Sequence, residues 1–154
     1  MAVRPSEVLN VTEPDLRPVA DLVRALVDGA WVNLVPDIDP ELAPPPRGAL
    51  AAIFSARGPV LPLVTVTAPE TPGGPLSVGI EHGAGPRALE RLANADHALP
   101  AGWRKVADHP RRGLVLTVPG DADADEVVEW LVHAAHVLCP IPLPTGWLVQ
   151  SYRP

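Results

Sequence analysis

Apolar residues recur at helical spacing in three stretches of the chain. In the first, from Asp15 to Asp28, a single apolar stripe contains Leu16, Val19, Leu22, Val23, Leu26 and Val27. A shorter helix is predicted near Arg87–Ala95. The third begins among Asp121, Asp123 and Asp125, which supply capping side chains, and ends at Cys139-Pro140. The spacing therefore predicts three amphipathic helices.

Short apolar runs bounded by glycine and proline predict the strands. These runs are Ala30–Val35, Leu50–Ala56, Val60–Thr67, Leu76–Glu81, Trp103–Asp108, Leu114–Val118 and Gly146–Tyr152. The second and third runs form one predicted hairpin, and the fifth and sixth form another. Pro62 has no N–H to donate to a neighbouring strand, which predicts that its strand lies at a sheet edge.

Hairpins without regular β-α-β alternation are typical of an α+β protein. We therefore expect residues 1–154 to form a single compact domain. Its largely antiparallel sheet would have about five to seven strands, with about three helices packed mainly on one face.

Proline is the most unusual feature of the composition, with 21 residues among 154. The prolines are not gathered into one tract but fall mostly between the apolar segments, so they indicate turns rather than disorder. Residues 36–46 form an acidic, proline-rich loop. We interpret it as a surface connection, although such a loop could also cover a pocket or meet a partner.

The remaining composition indicates a soluble protein with a real core. Hydrophobic residues make up 47% of the chain and charged residues 19%. Arginine outnumbers lysine 11 to 1, a bias typical of a high-GC, bacterial genome. The single cysteine excludes an internal disulfide framework. We see no secretory signal and no run of about 18 apolar residues, so we expect a cytoplasmic protein.

The charge distribution indicates which classes of binding partner are favoured. A net charge of −6 argues against binding to nucleic acid or to an anionic membrane. Residues 78–119 nevertheless hold six basic and four acidic groups, a net +2, whereas residues 1–77 and 120–154 each carry −4. This basic middle could mark an anion site, although scattered solvated arginines are the favoured interpretation.

Two loops in the basic middle hold the candidate ligand-binding residues. In the first, His82, Gly85 and Arg87 lie at a strand-to-helix junction, where backbone N–H groups attract anions. In the second, His109, Arg111 and Arg112 lie at a hairpin tip, and arginine forks bind carboxylates or phosphates. Asp108 and His109 are adjacent on a strand and face opposite sides, which disfavours a catalytic pair.

Other chemistry-bearing residues have simpler interpretations. Glu126, Glu129, His133 and His136 share the polar side of the last helix; they could bind zinc, but a solvated face is favoured. Cys139 is interpreted as a buried structural thiol. We assign the four tryptophans to the core rather than to a ligand-binding cage; they are Trp31, Trp103, Trp130 and Trp147. If two of them proved to be exposed together, this assignment would be reversed.

The function hypothesis is a non-catalytic binding or interaction module. It would contact an anionic small molecule or an acidic protein segment through the His82–Arg87 and His109–Arg112 loops, with no metal and no cofactor. One alternative is a small hydrolase or isomerase that uses His82 or His109 as general acid or base. Another is a structural partner subunit of a complex. The sequence leans away from an enzyme and leaves a homo-oligomer open.

Overall fold

A computed structural model of the chain describes residues 3–39, 41 and 58–154. Within these ranges the strands are β1 (Glu7–Thr12), β2 (Trp31–Pro36), β3 (Leu63–Thr67), β4 (Leu76–Glu81), β5 (Arg104–His109), β6 (Gly113–Val118) and β7 (Gly146–Tyr152). The helices are α1 (Arg17–Arg24), α2 (Ala88–Asn94) and α3 (Ala124–Leu138). The predicted strand Leu50–Ala56 and most of the 36–46 loop lie outside the described residues.

The seven strands form one antiparallel sheet in the order β1-β7-β2-β3-β4-β6-β5. The α+β architecture expected from the sequence is therefore confirmed. Two details differ. β1 was not predicted; it is a short edge strand of which only Val11 is buried. β3 lies inside the sheet between β2 and β4, so the edge position predicted from Pro62 is wrong. Pro62 precedes the strand, where its missing N–H interrupts no ladder.

One face of the sheet carries the core. In the five strands between the two edge strands, alternate side chains point toward this face and are at most 1% exposed. They are Val32, Leu34, Val64, Val66, Val78, Ile80, Leu114, Leu116, Trp147 and Val149. The buried residues of all three helices belong to the same apolar cluster, so the helices cover this one face. On the opposite face Trp31 stacks on Tyr152, with ring centroids 5.0 Å apart, and both side chains are half-buried.

One helix end differs from the bounds predicted from the sequence, and one helix start agrees with them. α1 ends at Arg24 rather than near Asp28: the N–H of Leu26 bonds to the carbonyl of Val23, three residues back, and Asp28 and Gly29 then adopt positive φ angles of 50° and 78°. α3 begins where expected: Asp123 is its N-cap, and its side chain accepts the N–H of Asp125 at 3.0 Å.

Polar contacts tie α1 to α3 at both ends. Arg24, the last residue of α1, lies 2.5 Å from a carboxylate oxygen of Asp125 in the first turn of α3. Glu13, just before α1, lies 2.8 Å from His136 in the last turn of α3. The two helices therefore run side by side in opposite directions.

Candidate functional site

The first predicted loop begins with a histidine that has no access to solvent. His82 is 0% exposed, and its Nδ1 accepts the N–H of Ala84 at 3.2 Å. Burial lowers the pKa of His82 below its ordinary 6.5, opposed by the charge of Asp108 and reinforced by that of Arg91. The ring is therefore neutral near pH 7 and is not placed to meet a ligand from solvent.

The helix start that follows His82 already holds a carboxylate. Asp108, on β5, accepts the backbone N–H groups of Ala88 and Leu89, each at 3.1 Å. Arg87, the residue before the helix, adopts a left-handed conformation with φ 60° and carries an exposed side chain. The anion expected at this helix start is thus supplied by the chain itself.

The second predicted loop lies next to the first. Asp108, which immediately precedes the second loop, is the carboxylate bonded to the helix start that follows the first loop. The ring of His109 holds the hairpin turn together: its Nδ1 accepts the N–H groups of Arg111 and Arg112, each at 3.1 Å. Both arginine side chains are exposed. The two loops are therefore neighbours, but His82 is buried beneath them and His109 is engaged with the backbone. Gly85, with φ 90°, is buried and serves the turn.

A cleft of about 600 Å³ lies elsewhere, on the outer side of α3. Residues 122–133, which include the first turns of α3, form its floor, the segment between His97 and Trp103 forms one wall, and Glu13–Leu16 forms the other. We refer to it as the aromatic cleft. Its volume falls within the range of about 300–1,000 Å³ typical of small-molecule sites.

Aromatic rings are packed together in this cleft. The indoles of Trp103 and Trp130 have centroids 5.0 Å apart at 57°, and the imidazole of His97 stacks on Trp130 at 4.8 Å. His133 lies 4.4 Å from His97, centroid to centroid. Trp130 is only 7% exposed, whereas Trp103 is half-buried. Trp103 is therefore the indole that a molecule in the cleft would meet.

Two reciprocal hydrogen bonds fix this wall to α3. The indole N–H of Trp130 donates to the carbonyl of Ala98 at 3.1 Å, and Nε2 of His97 lies 2.9 Å from the carbonyl of Trp130. Since a carbonyl only accepts, Nε2 of His97 carries the proton. Burial lowers the pKa of His97 below its ordinary value. The hydrogen bond to the Trp130 carbonyl raises the pKa in part, and the nearby His133 lowers it further. The wall is thus held by a neutral histidine.

The charged side chains of the cleft lining are all acidic within the described part of the chain. Glu13, Asp123, Glu126 and Glu129 contribute carboxylates, and no lysine or arginine is among its lining residues in the described part of the chain. Glu13 has a structural role as well, because its Oε2 also accepts the indole N–H of the buried Trp147 at 2.9 Å. Counting only aspartate, glutamate, lysine and arginine, these four carboxylates give the lining a formal charge of −4.

Sequence reasoning named several of these residues but not their assembly. Of the four residues placed on a solvated face of α3, Glu126, Glu129 and His133 are exposed as expected, whereas His136 is half-buried against Glu13. What the periodicity of α3 could not reveal is that the 97–103 segment folds against that face. Of the tryptophans assigned to the core, Trp130 and Trp147 are buried as expected, and Trp130 also lines the cleft beside the half-buried Trp103.

The remaining candidates are structural or lack a metal-binding arrangement. Within the described ranges, no three side chains of histidine, cysteine, aspartate or glutamate are grouped so as to hold a metal ion. The thiol of Cys139 donates to the carbonyl of Val60 at 3.3 Å, and burial raises its pKa above the ordinary 9.0. A thiol of this kind is a poor nucleophile near neutral pH.

Comparison with models of protein families, with curated proteins and with solved structures finds no match to this chain. Among the described residues, each helix is too short or too polar to pass through a bilayer.

Proposed function

We propose that the protein is a ligand-binding module and that its ligand occupies the aromatic cleft. The observation that carries the proposal is the pairing of Trp103 with Trp130, 5.0 Å apart, in the lining of a cleft of about 600 Å³. An aromatic ring left accessible in a concave site, as Trp103 is, is characteristic of ligand recognition, because a bound molecule covers apolar surface that otherwise faces water.

The cleft is suited to binding because its wall is held in place before a ligand arrives. His97 and Trp130 each supply a ring for the stack and a hydrogen bond to the backbone of the other element. Side chains fixed in this way lose little conformational freedom on binding, so more of the interaction energy remains as affinity.

A thermal-shift screen of small molecules and short peptides tests this function. At about a hundredfold excess over its dissociation constant, a ligand stabilises the native state by roughly 2.7 kcal/mol. For a chain of this size that corresponds to a rise in Tm of about 5–10 °C. We expect the shift to disappear in Trp103→Ala, which removes the accessible indole, and to persist in Trp31→Ala.

Trp31 is the matched control because it is a half-buried tryptophan that stacks on Tyr152 across the opposite face of the sheet. A ligand whose shift is equal in wild type and Trp103→Ala would contradict binding in the aromatic cleft. No stabilisation by any compound of the screen would count against the binding function itself.

The anion or acidic protein segment expected from the sequence remains a second candidate. It is favoured by the adjacency of the His82–Arg87 and His109–Arg112 loops, which Asp108 joins. Two N–H groups of the helix start are already bonded to Asp108, so recognition would depend on the arginines. Loss of a ligand shift in the Arg111→Ala/Arg112→Ala variant, with Trp103→Ala unaffected, would select this site.

A further inference from the structure

The charge of the aromatic cleft is concentrated on two glutamates. Of its four carboxylates, Glu13 is held by His136 and Trp147, and Asp123 caps α3 and lies 3.8 Å from Arg24. Glu126 and Glu129 have no ion-pair partner within the described residues, and both side chains are exposed. The cleft therefore presents negative charge that the described part of the fold leaves uncompensated.

The aromatic wall favours the same sign of ligand charge. The face of an indole ring is electron-rich and attracts a cation placed within about 6 Å of the ring centre. Trp103 supplies such a ring beside the carboxylates, and tryptophan is the most effective of the aromatic residues in this interaction. Rings and carboxylates in one cleft thus both attract a guanidinium or ammonium group, and both disfavour an anion.

The cleft offers a cation two places rather than one. The first is the accessible face of Trp103, and the second is the pair Glu126 and Glu129, which lie three residues apart on α3, about 4.5 Å along its axis. In an extended peptide, side chains on the same face are two residues apart, or about 7 Å. Two basic side chains separated by one residue can therefore occupy both places, whereas a single small amine occupies only one.

We propose that the ligand of the aromatic cleft is an extended peptide segment with basic side chains at alternate positions. One cationic group would lie against the indole of Trp103, and the next would pair with Glu126 and Glu129. This inference rests on the proposed binding function of the cleft and specifies the chemical class of its occupant.

The probe is a capped Arg-Gly-Arg peptide, and its binding is measured by isothermal titration calorimetry and by tryptophan fluorescence. A citrulline-Gly-citrulline peptide has nearly the same shape without the charge, and a capped single arginine tests the need for two cations. We expect the arginine peptide to bind at least tenfold more tightly than either comparison compound. Added salt weakens its binding, since the charged groups remain partly hydrated.

The decisive variant is Glu126→Gln/Glu129→Gln, which removes two charges from exposed positions without changing side-chain size. Its matched control is Glu70→Gln/Glu81→Gln, which removes the same net charge from exposed glutamates outside the cleft. We expect the first variant to weaken binding of the arginine peptide at least tenfold and the control to leave it unchanged.

Four results would overturn the inference. Equal weakening by both double variants would show general attraction to an acidic protein rather than recognition in the cleft. Equal binding of the citrulline peptide would show that charge is not recognised. If a neutral or anionic compound of the screen binds in a Trp103-dependent way while the arginine peptide does not, the cleft is a binding site for another class of ligand. If nothing binds there, the proposed function falls with the inference.

Discussion

The contact between Asp108 and the start of α2 predicts a measurable loss of stability in Asp108→Ala. The carboxylate accepts two backbone N–H groups, those of Ala88 and Leu89, and no other side chain of the described residues caps this helix. Replacing a capping aspartate with alanine costs about 1 kcal/mol. The second N–H, left partly buried without its acceptor, adds about 1 kcal/mol. We therefore expect a total of about 2 kcal/mol.

Urea denaturation followed by tryptophan fluorescence measures this loss. With a slope of about 2 kcal/mol per molar urea, the midpoint of Asp108→Ala should fall by about 1 M. Asp108→Asn keeps one side-chain acceptor oxygen and should lose about half as much. Amide hydrogen exchange at Ala88 and Leu89 should become faster in both variants, because these two N–H groups are the ones released.

Asp37→Ala is the matched control, since Asp37 is exposed and accepts no side-chain hydrogen bond within the described residues. Surface substitutions of this kind change stability by about 0.5 kcal/mol or less, which is about 0.25 M in the midpoint. An Asp108→Ala midpoint within that margin of the control, with unchanged exchange at Ala88 and Leu89, would refute the capping role.

Two further predictions concern buried positions. Because burial lowers the pKa of His82 in the folded protein, the unfolded chain binds the proton more readily. The contribution of His82 to stability should therefore be fully present above about pH 6.5 and fall as the pH drops below it. The urea midpoint should change less between about pH 8 and about pH 5 in His82→Gln than in the wild type. The same change of midpoint with pH in both proteins would argue against this. At Gly113, with φ 96°, a Cβ would overlap the Ile80 carbonyl oxygen, so Gly113→Ala should cost at least about 2 kcal/mol. Gly79→Ala, whose Cβ would lie 3.8 Å from its nearest neighbour, should be nearly neutral in the same melt, and equal midpoints would contradict the clash.

Much of the fold could be predicted because each element is encoded locally. The predicted bounds of β4 and β7 coincide with the observed Leu76–Glu81 and Gly146–Tyr152. Both are short apolar segments closed by glycine or proline, so the signal lies within the segment. β1 was missed because an edge strand buries little: its Val8 is 50% exposed, and a stripe of one or two apolar residues is too weak a pattern.

The sites could be predicted less well, because a site depends on which distant segments meet. The sequence identified His82 and Asp108 as chemically notable. It could not show that His82 is buried, or that Asp108 caps α2 by bonding to N–H groups 20 and 19 residues before it in the chain. Similarly, the bond between Glu13 and His136 joins residues 123 positions apart. No local spacing records a contact of that range.

By itself, the sequence determined the helices, most of the strands and the excess of negative charge. These follow from backbone periodicity and from composition, which are properties of neighbouring residues. Only the tertiary structure decided that Trp103 and His97 fold against α3 beside Glu126 and Glu129, and that His82 is withdrawn from solvent. Such contacts are set by the joint burial of all the elements against one sheet face, and a side chain acquires its surroundings only when that packing is complete.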